Sequence, residues 1–194
     1  MTNREIITSF KQGGTGNCVT IAIIKAGIEI FGLYNIFHYQ KNNEGDGFSF
    51  MMRDGIENTV TSEELDLARQ GSKFTVLNNQ EIFDYANICF AAMAKRAMIE
   101  GNDDMENPSY QQAIGTLNNG EYYLHGPNWI GLRHNYRYIG RKYARNNPGC
   151  VGASKHHCFY VSNGLEDNYG RVDHIGLFER RFVHWFRITK EQAF

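Results

Sequence analysis

A glycine-rich turn that runs directly into a long apolar segment is the feature that most constrains how this chain can fold. The turn is QGGTGNC at positions 12–18, and the apolar segment covers positions 19–31. Glycine allows the backbone to turn tightly, and an apolar run of this length indicates a buried helix, so we predict that a helix begins at Cys18. The first turn of a helix leaves N–H groups unpaired at the positive end of the helix dipole, and both effects stabilise a thiolate. Cys18 is therefore a candidate nucleophile.

Gln12 is a candidate for binding the negative charge that such a nucleophile generates. It lies six residues before Cys18, and an amide N–H can donate to the oxyanion that develops when a carbonyl group is attacked. The glycines between the two residues allow the backbone to approach a substrate closely. A buried structural cysteine at the start of a helix is the alternative interpretation, because unpaired cysteine is among the most buried residue types.

A histidine at the start of a predicted strand supplies the base that a nucleophilic cysteine needs. The segment KHHCFYVSNG at positions 155–164 contains aromatic and β-branched residues and ends in a turn, which is typical of a strand. An imidazole beside a thiol can accept its proton and so activate the cysteine. This pattern offers two candidates, His156 and His157.

The pattern Gln-Gly-x-x-Gly-x-Cys followed by a buried helix resembles the nucleophile segment of papain-like cysteine peptidases, especially of calpain-type catalytic cores. In that family the glutamine side chain and the cysteine backbone N–H donate to the oxyanion, which implies these roles for Gln12 and Cys18. The family's base is followed by a small residue and an aromatic, β-branched strand, so the resemblance implies that His157 is the base. This sequence departs from the family at Val19, where an aromatic residue is usual, and at Thr15, where papain has a further cysteine.

In the fold that this chain resembles, an asparagine or a similar acceptor on the next strand of a hairpin orients the base. We predict strands over 157–162 and 171–178, joined by a loop over 163–170 that is rich in turn-forming residues. This pairing places Glu179 opposite the histidine and Asp173 near the hairpin tip, both on the same strand face. Glu179 is therefore the predicted third catalytic residue and Asp173 the alternative. A surface ion pair with one of the two arginines that follow is the structural interpretation of Glu179.

The order of the remaining elements is similar to that of a calpain-type core. An amphipathic helix is predicted over 81–98, and a short helix with a glycine turn over 113–120. We expect an α+β protein with a papain-like two-lobed fold, formed by a single catalytic domain over residues 1–194. The N-terminal helical lobe, about residues 1–120, carries the nucleophile helix, and the C-terminal antiparallel β lobe, about residues 121–194, carries the catalytic histidine.

The charge of the chain gives little support to a nucleic-acid partner. Its formal net charge is −1, so no overall field attracts a polyanion. One segment, RHNYRYIGRKYAR at positions 133–145, interleaves basic and aromatic residues. It leaves open a second class of function, a catalytically inactive papain-like module that binds nucleic acid or acidic partners. A solvated helix face with its tyrosines packed inward is the structural interpretation of the same segment.

Neither a disulfide framework nor a metal site is predicted. The four cysteines, at positions 18, 89, 150 and 158, are too scattered for the framework of a small secreted domain, and they favour a reducing compartment. Adjacent residues on a strand face opposite ways, so the neighbouring His156, His157 and Cys158 cannot readily bind one tetrahedral ion. We therefore expect no cofactor and no bound metal.

The apolar segment does not have the character of a signal peptide or a membrane span, because it contains Lys25 and Glu29. We expect a cytoplasmic protein, or one exported by a non-classical route, with no membrane partner. The predicted function is that of a cysteine peptidase-like hydrolase acting on peptide or side-chain amide bonds of a protein or peptide substrate. Transglutaminase and deamidase activities stay open, and the sequence does not define the oligomeric state.

Overall fold

The computed structural model describes residues 1–42, 46–176 and 184–192, and it contains both helices and antiparallel sheets. The α+β class is therefore confirmed. The helices are α1 (Asn3–Ile7), α2 (Cys18–Phe31), α3 (Ser62–Ser72), α4 (Gln80–Glu100), α5 (Tyr110–Thr116), α6 (Gly126–Trp129) and α7 (Arg141–Ala144). The strands are β1 (Phe10–Lys11), β2 (His38–Lys41), β3 (Phe48–Met51), β4 (Glu57–Val60), β5 (Thr75–Val76), β6 (Tyr136–Tyr138), β7 (Cys150–Ala153), β8 (Cys158–Ser162), β9 (Leu165–Asn168), β10 (Arg171–His174) and β11 (His184–Ile188).

Helix α2 begins at Cys18, which confirms the predicted helix start. Every residue from Val19 to Ile28 is buried, as expected for a helix whose apolar residues surround it on all sides. The helix ends before Gly32, whose φ of +96° is a conformation that side chains other than glycine rarely adopt. Helix α2 packs against β8, and the nucleophile candidate therefore lies beside the main sheet.

The main sheet has six strands in the order β10-β9-β8-β7-β11-β6, and every neighbouring pair is antiparallel. Strand β8 is buried along its whole length, and its side chains alternate between two apolar clusters. Cys158 and Tyr160 belong to the large cluster that includes α2, whereas Phe159 and Val161 belong to a smaller cluster with Trp185. This alternation confirms the predicted strand and places both of its faces in apolar surroundings.

The hairpin predicted after this strand is wrong. An Asn-Gly turn at 163–164 leads from β8 into β9, and a Tyr-Gly turn at 169–170 leads from β9 into β10. All four of these turn residues have positive φ, which suits a tight connection between antiparallel strands. The predicted loop over 163–170 therefore contains a strand, and β9 separates β8 from β10 in the sheet. The register that placed Glu179 opposite the histidine depended on a direct pairing of β8 with β10 and is lost with it.

The helices predicted in the middle of the chain are present. Helix α4 covers the whole of the predicted segment 81–98, and α5 is followed by a turn at Gly120, whose φ is +105°. A buried ion pair fixes the second half of α4, since Arg96 donates to Asp54 at 2.6 Å and neither side chain is exposed by more than 2%. Among the helices in the described ranges, none combines the length and apolar composition needed to cross a membrane.

Two smaller sheets flank the helices. Strands β2, β3 and β4 form an antiparallel meander, and β1 pairs with β5. The pairing of β1 with β5 brings Phe10 opposite Val76 and holds the chain just before the glycine-rich turn. The turn therefore starts from a fixed strand and ends at a fixed helix.

Candidate active site

The N-terminus of α2 is held by polar contacts that leave its first turn uncapped. The Asn17 amide is buried and donates to the carbonyl of Ser72 at 2.6 Å and to the side chain of Asn118 at 2.9 Å. Its side chain makes no capping hydrogen bond to α2. The N–H of Gly16 donates to the carbonyl of Asn118 at 2.7 Å, which ties the glycine-rich turn to the segment before Gly120. The Asn17 side chain therefore does not occupy the N–H groups of the first turn beside Cys18.

Gln12 lies in the same turn, and its side chain is held within it. Its Nε2 donates to the carbonyl oxygen of Thr15. An amide nitrogen carries two hydrogens, so a second N–H remains for another acceptor. Gln12 lines the same small cavity as Cys18. The turn thus brings an amide donor and the thiol to one cavity, as the sequence pattern predicts.

His157 is the last residue of the short connection between β7 and β8, and Ser154 fixes its backbone. The N–H of His157 donates to the Ser154 hydroxyl at 3.2 Å, and its carbonyl accepts from the Ser154 N–H at 2.9 Å. The Ser154 hydroxyl lies 3.0 Å from the same carbonyl. Both His156 and His157 line the larger cavity beside Cys18, whereas His157 also lines the smaller one.

The thiol of Cys18 contacts the backbone immediately after His157. The N–H of Cys158 lies 3.4 Å from Cys18 Sγ and donates to it. The contact joins two residues separated by 140 positions in sequence, and it holds the start of α2 against the start of β8.

Tyr169, which the sequence analysis did not identify, covers the ring of His157. The two rings are stacked, with centroids 4.7 Å apart and planes inclined by 16°. The Tyr169 hydroxyl lies 3.5 Å from Nδ1 of His157. Phe159 stacks on the same imidazole at a centroid distance of 5.9 Å. The Asn-Gly dipeptide at 163–164 is the sequence signal that could have predicted this geometry, because a tight turn there returns the chain to His157.

Asp167 is the second residue that the sequence analysis missed. It lines the small cavity with Cys18 and His157, and it forms a buried ion pair with Lys25 of α2 at 2.7 Å. Its other carboxylate oxygen accepts the N–H of Gly170 at 2.7 Å. Burial lowers the pKa of Lys25, and the adjacent carboxylate opposes this shift.

Two adjacent cavities meet at the predicted nucleophile and base. The smaller one, of about 20 Å³, has room for little more than a water molecule. The larger one has a volume of about 410 Å³, which is enough for a substrate side chain. Three residues line both cavities, namely Cys18, His157 and Cys158. The walls of the larger cavity also include Val19, Gly120, Glu121, Tyr122, Tyr123, Ala153, Ser154, Lys155 and His156.

The four cysteines have free thiols, and Cys18 differs from the others in its exposure. Cys18 is half-buried, whereas Cys89, Cys150 and Cys158 are buried. Burial raises the pKa of Cys150 to about 12 and raises the pKa values of Cys89 and Cys158 as well. Three of the thiols are thus suited to an inert role in the core, and Cys18 is the half-buried one.

The predicted third catalytic residue, Glu179, lies outside the described residues. The alternative, Asp173, lies on β10 opposite Glu166 of β9. Its carboxylate accepts the backbone N–H of His174 at 2.8 Å. Strand β9 lies between β10 and β8, so the structure does not place Asp173 on the strand next to the histidine.

The basic and aromatic segment over 133–145 lies at one edge of the main sheet, where it forms β6 and α7. Tyr136 is half-buried, but Tyr138 and Tyr143 are 63% and 45% exposed. The expectation that the tyrosines of this segment pack inward is therefore wrong for two of them. The guanidinium group of Arg187 on β11 lies 6.0 Å from the ring centre of Tyr143.

Comparisons of the chain with protein-family models, with curated proteins and with solved structures found no match. Within the described ranges, no three His, Cys, Asp or Glu side chains lie close enough together to hold a metal ion.

Proposed function

We propose that this protein is a cysteine peptidase-like hydrolase in which Cys18 is the nucleophile and His157 the general base. The observation that carries this proposal is the contact between Cys18 Sγ and the N–H of Cys158, 3.4 Å long. Through this contact the thiol at the start of a helix lies against the residue that follows a histidine, and both side chains line the same two cavities. A nucleophile beside a base at a cavity of substrate size is the arrangement that thiol catalysis requires.

We further propose that the fold is papain-like and two-lobed. Residues 1–120 would form the helical lobe that supplies Cys18, and residues 121–194 the β lobe that supplies His157. Two observations support this division. Helix α2 packs against β8 of the main sheet, and the larger cavity is lined by Cys18 and Val19 of the first lobe and by residues 121–123 and 153–158 of the second.

The proposed reaction is acyl transfer through a thioester. His157 accepts the thiol proton, and the Cys18 sulfur attacks the carbonyl carbon of an amide. The backbone N–H of Cys18 and the second N–H of the Gln12 amide donate to the oxyanion of the tetrahedral intermediate. The C–N bond then breaks as His157 donates a proton to the departing amine. Water hydrolyses the thioester and restores the thiol, whereas an amine acceptor in place of water gives transamidation.

Tyr169 supports this proposal by restricting the imidazole. A ring stacked on His157 limits its rotation, and a hydroxyl close to Nδ1 favours a defined orientation of the two ring nitrogens. We do not assign the acid role to Glu179, because β9 separates β8 from β10 and the register that placed Glu179 opposite the histidine is lost.

The experiment that tests the proposal is the rate of Cys18 alkylation by iodoacetamide as a function of pH, followed by mass spectrometry of the Cys18 peptide. We expect the His157→Ala variant to lose about 100-fold in rate near pH 6, because a base that activates a nucleophile contributes at least this much. The His156→Ala variant is the matched control and is expected to stay within about twofold of wild type. Equal rates in the wild type and in both variants would make Cys18 a structural cysteine and overturn the proposal.

A catalytically inactive module that binds nucleic acid or an acidic partner is the second candidate. The exposure of Tyr138 and Tyr143 beside basic residues favours it, because exposed aromatic rings among cations can stack on bases. Its test is binding of a single-stranded oligonucleotide at increasing salt concentration. Affinity that falls steeply with salt and is lost in a Tyr138→Ala variant would favour this candidate.

A further inference from the structure

A fully buried lysine lies on the same helix as the predicted nucleophile. Lys25 is seven residues after Cys18 on α2, which places it two helical turns further along the same face. Its side chain has no exposed surface. Charged lysines are almost never buried to this extent unless they are paired, because the ammonium group loses its hydration. Its partners therefore indicate what the residue does.

The ammonium group of Lys25 has three hydrogens and three acceptors. It donates to the carbonyl of Ile7 at 2.8 Å, to the carbonyl of Phe10 at 2.7 Å and to Asp167 Oδ2 at 2.7 Å. The hydrogen-bonding capacity of the group is thus fully used. Two of the acceptors belong to the N-terminal segment and the third to β9, so one side chain of α2 joins two distant parts of the chain.

Two of these contacts lead to residues of the proposed active site. The carbonyl of Phe10 precedes Gln12 by two residues, so Lys25 fixes the approach to the glycine-rich turn. The carboxylate of Asp167 also accepts the N–H of Gly170 at 2.7 Å, and this bond closes the turn that presents Tyr169 to the histidine. The lysine thereby connects the segment of the oxyanion donor, the helix of the nucleophile and the turn that orients the base.

We propose that Lys25 and Asp167 are positioning residues that hold the Gln12 turn and the Tyr169 turn in place at the small cavity that Cys18 also lines. This inference rests on the proposed function of Cys18. Stability alone does not account for the pair, because well-packed apolar residues of the same size stabilise a core as well as a buried ion pair does. An apolar pair, however, supplies neither donors for two backbone carbonyls nor an acceptor for the turn at Gly170.

The test compares this ion pair with a second buried pair that lies away from the site. Arg96 and Asp54 are 2.6 Å apart and equally buried, and neither lines the two cavities beside Cys18. The variants are Lys25→Met, Asp167→Asn and the double variant, with Arg96→Met as the matched control. The readouts are the melting temperature and the pH profile of Cys18 alkylation by iodoacetamide.

We expect Lys25→Met and Asp167→Asn to slow Cys18 alkylation near pH 6 by about tenfold, because a small displacement of catalytic groups has effects of this order. Arg96→Met should lower the melting temperature comparably and leave the alkylation profile within about twofold of wild type. The double variant is the most informative. It should recover melting temperature relative to Lys25→Met, because no unpaired carboxylate stays buried, while its alkylation stays slow.

The two proposals fail in different ways. If His157→Ala slows Cys18 alkylation but the double variant keeps the wild-type profile, the positioning role is wrong and the proposed function stands. If His157→Ala has no effect on the wild-type rate, the proposed function itself is wrong, and the positioning role falls with it. Asp167→Asn retains the acceptor for Gly170 and the shape of the side chain. Its Cys18 alkylation profile can therefore be compared with that of wild type even if Lys25→Met does not fold.

Discussion

The ring of Tyr169 lies on the ring of His157, with the two planes inclined by only 16° and the centroids 4.7 Å apart. Tyr169 has a φ of +52°, which non-glycine residues adopt infrequently, and its side chain is 52% exposed. An exposed side chain on a left-handed backbone contributes little to the core. We therefore expect the stacking of Tyr169 on His157 to orient the imidazole rather than to stabilise the fold.

The first prediction concerns this stack. Replacing Tyr169 by alanine should slow alkylation of Cys18 near pH 6 by about tenfold, because the imidazole loses its orientation. Tyr169→Phe keeps the stacked ring and loses only the hydroxyl near Nδ1, so a loss of about threefold is expected. Mass spectrometry of the labelled Cys18 peptide measures both rates. A Tyr169→Ala variant as reactive as wild type would show that the stack has no role in activating the thiol.

The second prediction concerns Gln12 and separates the oxyanion from the nucleophile. Gln12→Ala should lower turnover of a fluorogenic peptide mixture by about 100-fold, the usual effect of removing an oxyanion donor. Alkylation of Cys18 by iodoacetamide forms no oxyanion, so its rate should change by less than about threefold. If both rates fell together, the role of Gln12 would be to hold the turn through its bond to Thr15.

Local patterns in the sequence were sufficient to predict the start of α2, the strand β8 and the long helix α4. Each of them depends on apolar spacing and turn residues within a short window. The position of Tyr169 against the histidine could not be predicted in the same way. Positions 163–170 contain many turn-forming residues, which predict one loop, whereas two tight turns enclose a strand there.

The ion pair between Lys25 and Asp167 illustrates a second limit of prediction from sequence. The two residues are 142 positions apart, and a lysine within an apolar helix has no local signature that identifies its partner. From the sequence alone, Lys25 indicates only that the apolar segment is neither a signal peptide nor a membrane span. Its three acceptors become apparent once α2, the N-terminal segment and β9 are assembled, because hydrogen bonds to backbone carbonyls depend on tertiary structure.

The third prediction concerns the two adjacent glycines of the nucleophile turn. A Cβ atom at Gly13 would overlap the backbone oxygen of Lys73, whereas a Cβ atom at Gly14 would have nothing within 4 Å. Gly13→Ala should therefore destabilise the protein by about 2 kcal/mol or more, because the backbone must move. Gly14→Ala is the matched control and should change the free energy of unfolding by less than about 0.5 kcal/mol. Urea unfolding measures both, and equal effects would contradict the packing of this turn.

The fourth prediction concerns stability at alkaline pH and follows from the buried thiols. The pKa of Cys150 rises from 9.0 to about 12 on folding, and the pKa values of Cys89 and Cys158 rise in the same direction. Well below pH 9 these thiols are protonated in both the folded and the unfolded chain, so they leave the stability unchanged. Between pH 9 and about 12 the unfolded chain loses protons that the folded chain keeps, so the free energy of unfolding must fall as the pH rises.

Lys25 acts in the opposite direction, because its lowered pKa makes the folded chain release a proton before the unfolded chain does. Each buried thiol contributes a loss of about 1.4 kcal/mol per pH unit above pH 9, so three thiols outweigh one lysine and we expect a net fall in the free energy of unfolding between pH 8 and pH 10. Urea unfolding in the presence of a reductant, at several pH values across this range, measures it. Cys150→Ala removes one titrating thiol and should make the loss smaller by about 1 kcal/mol. A free energy of unfolding that stays constant up to pH 10 would show that these thiols are not buried as described.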